Sequence, residues 1–491
     1  MIDVAIVGGG PTGVVAANLC GQYGLSAVAL DREPDVYDLP RAAGMHDDVQ
    51  RILSNADLLD AVLPGTVEHV GAEFVDRDGT RLIGIEFPGL NTPNGFPPVL
   101  AIAQPEIERA LRGRLDRFPD VELRVSQELR GFEQHDDHVE LHVHDLERDE
   151  SRTVRARWVI GADGASSFVR KSCGISWNSL GYDHEWLVID VACTAPVDLP
   201  RFATQVCDPA RPTTIIPMPP PLHRWEFQLR PGETREEMED RDRVWELVRP
   251  WISREQANLL RAVVYRFHAT IAQTFRCGRV FLAGDAAHQT PPFMGQGLCT
   301  GVRDAENLVW KMAAVKAGLA TDALLDTYTE ERHPMAVAMV QHSTNTGKLI
   351  DAYAEMTVTG TPPSEELIQY GYGGTKQLPS LSTGLLGEGE SRWIGQLVPQ
   401  CVVGNGSTTG IYDEIVGTQW ALLATTDPRG LVSGEQAGAW EELGAAFLTL
   451  DDPNASRMLG DSDVAVVRPD RIIFSLGPDA RLPEPFAHAS T

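Results

Sequence analysis

The chain has 491 residues, 43% of them hydrophobic and 23% charged, which is the composition of a folded protein with more than one core. Its 42 Lys and Arg are outnumbered by 69 Asp and Glu, and the resulting net charge of −27 argues against a nucleic acid or an anionic membrane as partner. The 7 cysteines are scattered without a CxxC pair, and no apolar run is long enough to span a bilayer. We therefore expect a soluble cytoplasmic protein with reduced thiols.

A glycine-rich turn follows the first predicted strand, Asp3 to Val7. Its sequence, GGGPTG, places Gly8, Gly10 and Gly13 in a G-x-G-x-x-G pattern. In such a turn the first glycine makes the bend, the second admits a pyrophosphate and the third packs helix on strand. The next predicted strand ends at Asp31, which can accept a hydrogen bond from a ribose hydroxyl. The pattern predicts a dinucleotide-binding unit but does not distinguish FAD from NAD.

Two later strands also end in an acid. The apolar run before Gly161 leads into Asp163-Gly164, and the run Val280 to Ala283 leads into Gly284-Asp285. The second of these continues into a loop rich in proline and glycine, and then into a helix that we predict over Asp304 to Ala317. An acid, a stiff loop and a helix N-terminus together form a cradle for a phosphorylated, planar ligand.

The wording of these motifs resembles one family. GDAAH followed by PPFMGQG resembles the second FAD-binding signature of the flavoprotein aromatic hydroxylases (class A monooxygenases), closest to the 3-(3-hydroxyphenyl)propionate hydroxylases. DGASSFVR resembles the DG motif of the same family, and the three signatures occur in the family's order. The resemblance implies FAD as cofactor and NADH or NADPH as co-substrate.

Carried over to this sequence, the resemblance places Asp285 on the cofactor sugar and the loop after it beside the isoalloxazine ring. Gln104 and Arg41 match family positions near the cofactor; their alternatives are a helix cap and a surface arginine. The implied FAD-binding residues are Gly8, Gly10, Pro11, Thr12, Gly13, Asp31, Arg32, Arg41, Gln104, Asp163, Gly164, Asp285, Pro292, Gly295, Gln296, Gly297 and Leu298. Pro292 and Gly295 are the expected flavin-proximal residues, and the catalytic residue that deprotonates the substrate is unknown.

The implied fold is α/β: a Rossmann-like FAD-binding domain with an inserted β-sheet substrate domain and a thioredoxin-like C-terminal domain. The expected boundaries are 1–70, 101–180 and 271–356 for the FAD domain, 71–100 and 181–270 for the substrate domain, 357–391 for a Gly/Ser/Pro-rich linker, and 392–491 for the C-terminal domain. The last domain has no CxxC, so we expect packing or homodimerisation rather than disulfide chemistry. A helix is predicted over Leu324 to Met339, with a break at Pro334.

The substrate domain contains three residues that could contact a substrate: His184, Arg211 and Arg224. An arginine on such a sheet could hold a substrate carboxylate through two hydrogen bonds. The alternative for each is an exposed strand residue or a structural ion pair.

A histidine-rich stretch from His135 to His144 looks like a metal site. However, Val139, Leu141 and Val143 alternate with polar residues, a pattern that predicts one strand with a solvent face. Since no paired-Cys or HExxH spacing accompanies it, we predict no metal.

The predicted activity is hydroxylation of a phenolic substrate by NAD(P)H and O2, through the C4a-hydroperoxyflavin that the resemblance implies. A hydroxyphenylpropionate-like acid is one expected substrate. A tailoring hydroxylase of a polycyclic natural product is the alternative, followed by a flavin reductase or dehydrogenase, which would consume NAD(P)H without inserting oxygen.

Overall fold

The computed structural model describes residues 1–372, 378–389 and 391–486. Parts of the predicted linker (373–377 and 390) and the last five positions of the predicted C-terminal domain lie outside the described residues. None of the helices in the described ranges is long and apolar enough to cross a membrane.

The chain up to residue 172 contains β1 (Ile2–Val7), α1 (Pro11–Gln22), β2 (Ala27–Leu30), β3 (Gly44–His46), α2 (Asp47–Asn55), α3 (Leu59–Val62), β4 (Thr66–Glu68), β5 (Gly71–Asp76), β6 (Arg81–Glu86), β7 (Val99–Ile102), α4 (Gln104–Gly113), β8 (Val121–Arg124), β9 (Gln127–Gln134), β10 (Val139–Asp145), β11 (Glu150–Gly161) and α5 (Phe168–Ser172). The middle of the chain contains β12 (Trp177–Cys193), β13 (Ala203–Cys207), β14 (Thr213–Pro217), β15 (Leu222–Gln228), α6 (Arg235–Glu239), α7 (Arg241–Val248), β16 (Ala257–Ala272), β17 (Arg276–Cys277), β18 (Val280–Leu282), β19 (His288–Gln289), α8 (Gln296–Lys316), α9 (Thr327–Thr359) and α10 (Glu365–Tyr372). The remainder contains β20 (Val402–Gly404), β21 (Thr409–Ile411), α11 (Tyr412–Val416), β22 (Ala421–Ala424), α12 (Gly434–Glu442), β23 (Ala446–Leu450), α13 (Pro453–Ser456), β24 (Ala465–Val467) and β25 (Ile473–Leu476).

The first sheet has parallel strands at its centre, in the order β18-β11-β1-β2-β8. Its central strands are nearly continuous apolar runs, as expected for strands buried on both faces. Because these strands are parallel, their carboxyl ends lie at one edge of the sheet. Gly8, Asp31, Asp163 and Asp285 follow β1, β2, β11 and β18 respectively, so the topology brings the predicted site residues to the same edge.

The second sheet has the order β19-β16-β12-β15-β14-β13-β5-β6 and is largely antiparallel. On β15, Trp225 and Phe227 point into an apolar core shared with α6 and α7. Arg224 and Glu226 alternate with them and therefore occupy the opposite face. That face packs against the first sheet's loops, since Trp186 on β12 contacts Phe293 with ring centroids 5.3 Å apart.

A third sheet, β21-β20-β23-β22-β24-β25, lies within the predicted C-terminal part of the chain, after residue 392. Only β22 and β23 pair in parallel among its described ladders. Trp420 lies between this sheet and α8, with its ring 6.0 Å from that of Trp310 and 5.2 Å from that of Trp440. An aromatic cluster thus joins the C-terminal part of the chain to the first sheet's helices.

Two sequence predictions about helices are wrong. α8 begins at Gln296 rather than at Asp304. Its first two turns contain Gly297 and Gly301, and because glycine has a low helix propensity these turns were not predicted as helix. α9 runs through Pro334 to Thr359 without a break. The Glu330 carbonyl cannot accept from Pro334, which has no N–H, and instead accepts from the Thr383 hydroxyl at 2.6 Å.

The stretch predicted as a linker is partly structured. It contains α10, and beyond it Leu381 and Leu385 are buried. Gly384 lies directly against Glu331 of α9, since a Cβ there would be 2.3 Å from the Glu331 Cγ. Small residues that suggested flexibility therefore permit close packing in this segment.

Candidate active site

The first glycine turn joins two of the three motifs. Gly8 has φ +106°, and a Cβ there would lie 2.3 Å from the carbonyl oxygen of Ala162, next to Asp163. A Cβ on Gly13 would lie 1.9 Å from the Gly8 carbonyl oxygen. Around Gly10, by contrast, no atom of the described residues lies within 4 Å of the Cβ position. The outer glycines are needed for packing, and the middle one faces open space where a ligand's phosphates could approach.

Thr12 packs the same turn against the third motif. Its Oγ1 lies 2.6 Å from the Cβ position of Gly284 and 2.2 Å from that of Gly301. Thr12 therefore occupies the space between the Gly284-Asp285 turn and α8. The Thr12 side chain is packed between the two signatures. A contact of Thr12 with FAD would therefore use its backbone or the exposed part of its side chain.

Asp31 is bound by an arginine that the sequence did not single out. Arg112 on α4 donates to Asp31 Oδ2 over 2.7 Å, to the Gly9 carbonyl over 2.9 Å and to Glu108 over 3.0 Å. Arg112 thus fixes both the acid at the end of β2 and the glycine turn. Its spacing of four residues from Glu108 on a helix was the only available signal, and such pairs are common.

The backbone amides of the loop Pro40-Arg41-Ala42 are held by Gln104. Gln104 accepts through Oε1 from the Arg41 amide at 3.1 Å and from the Ala42 amide at 2.7 Å. The Arg41 side chain is exposed and lies near Asp285, whose carboxylate it stabilises. Gln104 therefore positions the loop that presents Arg41. Arg32, which the sequence also predicts at the cofactor, is exposed and pairs with Glu33 at 2.8 Å.

The carboxylate of Asp163 accepts hydrogen bonds from residues of its own motif. Oδ1 accepts from the Ser167 hydroxyl and Oδ2 accepts from the Val169 amide at 3.0 Å. Ser167 in turn caps α5 by accepting from the Arg170 amide at 2.9 Å. Gly164 has φ +77° and no atom within 4 Å of its Cβ position, so the turn leaves open space beside it.

Asp285 is exposed to solvent although protein atoms surround its carboxylate on several sides. The surrounding protein raises the pKa of Asp285, while the charges of His288 and Arg41 act in the opposite direction. Next to it, Gly297 has only the Asp285 Oδ1 near its Cβ position, at 4.0 Å.

The loop after Asp285 turns sharply into α8. Pro292 begins a single 3-10 turn, and Gly295 adopts the left-handed conformation (φ +61°) as the residue that caps α8. Gln296 is buried; its Oε1 accepts from Arg303 at 2.9 Å, and its Nε2 has no hydrogen-bond partner among the described residues. Leu298 is half-buried on the first turn of the helix.

A buried cluster behind this loop was missed by the sequence analysis. Asp304 accepts from the Gly284 amide at 3.0 Å, contacts His288 Nε2 at 2.7 Å and accepts from Arg332 Nε at 2.8 Å. Burial opposes the charge on Asp304, but His288 and Arg332 outweigh it and lower the pKa of the carboxyl group. Asp304 therefore fixes the backbone immediately before Asp285.

The second sheet contributes an aromatic wall. Phe293 packs edge-on against Trp186 and also against Tyr182, 5.6 Å between ring centroids, and Trp186 Nε1 donates to the Tyr182 hydroxyl at 3.0 Å. His184 is exposed, with its ring 4.6 Å from that of Tyr182 and its Nδ1 3.2 Å from Gln228 Nε2. His184 therefore lies beside this wall rather than within it.

The two candidate arginines of the second sheet form structural ion pairs. Arg211 donates to Glu233 at 2.9 Å and to the Gln228 carbonyl at 3.1 Å. Arg224, 3% exposed, donates to Asp190 at 2.7 Å and to the carbonyl oxygens of Arg41 and Pro40. The expectation that either guanidinium is free to hold a substrate carboxylate is not supported, because both are already committed to protein oxygens.

The histidine-rich hairpin also has internal partners. β10 shows the predicted alternation, and His135, His138 and Glu140 place ligand atoms within 4.8 Å of one another. However, His138 contacts Asp137 at 2.7 Å, and Glu140 accepts from Arg155 at 2.8 Å. The absence of a metal stays a prediction.

The residues present fit an FAD. Each of the three motifs has one glycine with little around its Cβ position: Gly10 and Gly164 have no atom of the described residues within 4 Å, and Gly297 has only Asp285 Oδ1, at 4.0 Å. The charges of Asp285 and Arg41 interact beside them. The N-terminus of the 21-residue helix α8 adds a positive end of the helix dipole.

Comparison with known proteins decides the family. The model of an FAD-binding domain family matches residues 1–343. The chain belongs to this family of FAD-dependent aromatic hydroxylases. The hydroxylase is 35% identical to a probable NADH-specific resorcinol 4-hydroxylase of Rhodococcus jostii strain RHA1, over 98% of this chain and 92% of that protein. It is 31% identical to a 3-(3-hydroxyphenyl)propionate/3-hydroxycinnamic acid hydroxylase of Escherichia coli, over 96% and 91% of the two chains.

Solved structures share the fold of the hydroxylase. The flavin-dependent monooxygenase PieE, in complex with FAD and substrate, superimposes with a TM-score of 0.82 at 21% identity, covering 98% of this chain and 96% of that chain. Aklavinone-11 hydroxylase, in a ternary complex with FAD and aklavinone, gives 0.81 at 23% identity with the same coverage. The predictions of the family, of FAD as cofactor and of an aromatic hydroxylase are confirmed.

Proposed function

We propose that this hydroxylase uses NADH to insert one oxygen atom of O2 into the ring of a small phenol that carries no carboxylate, of the resorcinol type. The observation that supports the uncharged substrate is the saturation of Arg211 and Arg224 by protein oxygens. The 35% identical relative, whose name specifies NADH and resorcinol, supports the choice of reductant and substrate.

Glu226 strengthens the case against an anionic substrate. It lies two residues from Arg224 on the same face of β15, with one carboxylate oxygen 3.9 Å from the Arg224 guanidinium. Its Oε2 is buried and has no hydrogen-bond partner among the described residues. Burial raises the pKa of Glu226 to about 7, with Asp190 acting in the same direction and Arg224 and Arg261 opposing it. Above that pH the charge of Glu226 balances the second of the two arginines, Arg224 and Arg261, that share Asp190, so this group offers no net positive charge to a substrate carboxylate.

FAD, when bound, supplies the chemistry of accepting hydride from NADH and activating O2, which protein side chains cannot provide. The residues of this chain supply position and environment. We assign Gly10, Asp285 and Arg41 to the phosphate and sugar end of FAD, and the Pro292 to Leu298 segment to its ring system. The dipole of α8 would stabilise negative charge that develops on the ring.

The aromatic wall has a separate task. Phe293, Trp186 and Tyr182 pack against one another where the second sheet meets the flavin-proximal loop. Such a wall excludes water from the space beside the ring, and water exclusion suppresses the loss of activated oxygen as H2O2. We assign the substrate to the space bounded by this wall and the Pro292 to Leu298 segment.

The test is a matched substrate series. NADH and NADPH oxidation and H2O2 release are measured with resorcinol, 3-(3-hydroxyphenyl)propionate, its uncharged analogue 3-propylphenol, and a polycyclic phenol. The proposal expects resorcinol to accelerate NADH oxidation and to lower H2O2 per NADH, and 3-propylphenol to exceed the propionate in kcat/KM. A preference for the propionate would overturn the uncharged substrate. Coupled turnover of the polycyclic phenol alone would favour a tailoring hydroxylase, and NADH oxidation that no phenol alters would favour a reductase.

We also propose the domain division predicted from sequence, with the second sheet as an inserted substrate domain and residues 392–491 as a thioredoxin-like unit. The separate second sheet and the third sheet, with its parallel β22–β23 pair and flanking helices, support this division. The cytoplasmic location and the homodimer stay predictions; gel filtration with light scattering would test the latter.

A further inference from the structure

The C-terminal part of the chain reaches the predicted flavin loop through two chains of buried polar contacts. Both begin on residues that follow or precede strands of the third sheet, and both end on the backbone or side chains of the segment from Gly284 to Gln296. Neither is needed simply to attach the third sheet, because the cluster of Trp310, Trp420 and Trp440 already provides apolar adhesion.

The first chain starts at Arg468, just after β24. Its guanidinium is fully buried and donates to both oxygens of Glu331, at 3.0 and 2.8 Å, and to Asp470. Glu331, on α9, also accepts from Lys311 of α8 at 2.8 Å. All four side chains are buried, and their four charges compensate one another.

The residue next to Glu331 continues the chain. Arg332 donates to Asp304 at 2.8 Å, and Asp304 accepts from the Gly284 amide at 3.0 Å. Because Glu331 and Arg332 are adjacent, a shift of α9 that alters the pair with Arg468 also alters the pair with Asp304. The turn that presents Asp285 is thereby tied to the third sheet.

The second chain starts at Asp413, at the beginning of α11. It accepts from Arg51 of α2 through both oxygens, at 2.7 and 2.9 Å, and from Arg471 at 3.2 Å. Asp48, one turn earlier on α2, accepts from Arg303 of α8 at 2.5 and 3.0 Å. Arg303 then donates to Gln296 Oε1 at 2.9 Å, so this chain ends on the first residue of α8.

We propose that the third sheet positions the flavin-binding segment from Gly284 to Gln296, and that Arg468 and Asp413 are the positioning residues. This inference rests on the assignment of that segment to FAD. Buried ion pairs add little net stability because each charge loses its hydration, but they fix the relative placement of the elements they join. Ion pairs on two different helices fix the position of α8 relative to α9, whereas apolar packing alone would let the two helices shift along each other.

The test uses two conservative variants and one control in the full-length holoenzyme. Arg468→Lys retains the charge but loses the fork that binds Glu331 and Asp470 together. Asp413→Asn keeps the shape and removes the charge. Arg429→Met is the control, because Arg429 belongs to the same part of the chain and pairs with Glu441 at 2.8 Å on the surface.

Three quantities are measured for each: the Kd of FAD from flavin fluorescence, H2O2 released per NADH consumed, and the Tm of the apoprotein. We expect Arg468→Lys and Asp413→Asn each to weaken FAD binding by about tenfold or more, the lower end of the loss of affinity seen at metal sites when a residue that orients a ligand is removed, and to raise H2O2 per NADH. Arg429→Met should leave both unchanged. A double variant, Arg468→Lys with Arg332→Lys, should weaken FAD binding by less than the product of the single effects, since both act through one chain.

A lowered Tm with unchanged FAD Kd and unchanged H2O2 in both variants would overturn the proposal and leave the ion pairs as attachment only. If Arg468→Lys fails to fold, Asp413→Asn decides by the same criteria. The FAD Kd and the Tm need no known substrate, whereas H2O2 per NADH is measured in the presence of the phenol that wild type couples. A wild type that binds FAD tightly but hydroxylates nothing would contradict the proposed function, and the FAD Kd and the Tm would still decide this inference.

Discussion

Arg224 on β15 donates through Nη1 to the carbonyl oxygen of Arg41, across 2.7 Å between the second sheet and the loop beside Asp285. Arg261 on β16 donates to the neighbouring Pro40 carbonyl at 2.6 Å, and one carboxylate, Asp190, pairs with both arginines. The second sheet therefore holds the carbonyl oxygens of the loop that presents Arg41, and Gln104 holds its amides.

Asp190→Asn should loosen this loop. The substitution leaves Arg224 and Arg261 buried with one carboxylate fewer, and removing one partner of a buried ion pair costs about 3–5 kcal/mol. We expect a loss of unfolding free energy of that order in urea titrations and a weaker FAD Kd. The control is Asp183→Asn, whose pair with Arg266 is exposed, and it should change neither quantity. Equal effects of the two variants would contradict the role given to Asp190.

Gly301→Ala should prevent α8 from docking on the first glycine turn. A Cβ at Gly301 would lie 2.2 Å from Thr12 Oγ1, closer than two unbonded atoms can approach. We expect lower stability and weaker FAD binding, with partial recovery in the double variant Thr12→Ala/Gly301→Ala. Gly438→Ala in α12 is the matched control: nothing lies within 4 Å of its Cβ position, so it should gain roughly 0.5–1 kcal/mol from helix propensity. Unaltered FAD binding in Gly301→Ala would count against the docking of α8 on Thr12.

Glu226→Gln should change the pH dependence of stability. Because burial raises the pKa of Glu226 from its usual value of 4.5 to about 7, the folded state retains a proton that the unfolded state releases. The stability associated with that proton is present below pH 4.5 and is lost as the pH rises to about 7, by roughly 3 kcal/mol at about 1.4 kcal/mol per pKa unit. The glutamine variant, which stays neutral, should gain stability relative to wild type between pH 5 and pH 8 in denaturant titrations. A difference between the two proteins that is independent of pH would show that Glu226 stays ionised.

Phe293→Ala should uncouple NADH oxidation from hydroxylation. The ring seals the contact between the flavin-proximal loop and Trp186, and its loss would admit water beside the flavin. We expect H2O2 per NADH to rise several-fold while NADH oxidation itself continues. Phe168→Ala, at a side chain that is 41% exposed, is the control and should stay coupled. Full coupling in Phe293→Ala would place the substrate away from this wall.

The sequence predicted the edge of the first sheet well, because its motifs combine a strand, a small-residue turn and an acid within a few residues. Gly8, Asp163 and Asp285 could be placed from local pattern alone, since each requirement is local. The continuation of α9 through Pro334 could not be predicted from local pattern. The Glu330 carbonyl, which Pro334 leaves without a donor, accepts a hydrogen bond from Thr383, and Thr383 is distant in sequence.

The charged residues of the site illustrate a second limit of prediction from sequence. Arg224 resembles a substrate ligand in a linear sequence, and only the pairing of β15 with β12 shows that Asp190 lies beside it. Asp304 and Arg332 look like ordinary polar residues of two helices, although their contact fixes the Gly284 amide. Long-range ion pairs leave no local signal, so the partners of Arg224 and Asp304 could not be predicted from the sequence.

The most direct test of the proposed activity is the fate of labelled dioxygen. The enzyme is supplied with FAD, NADH and resorcinol in unlabelled water under heavy-isotope O2, and the product is analysed by mass spectrometry. A hydroxylase incorporates one labelled oxygen atom into the aromatic product for each NADH consumed in coupled turnover. NADH consumption with all of the label in H2O2 or water, and none in the ring of any phenol tested, would contradict the proposed activity.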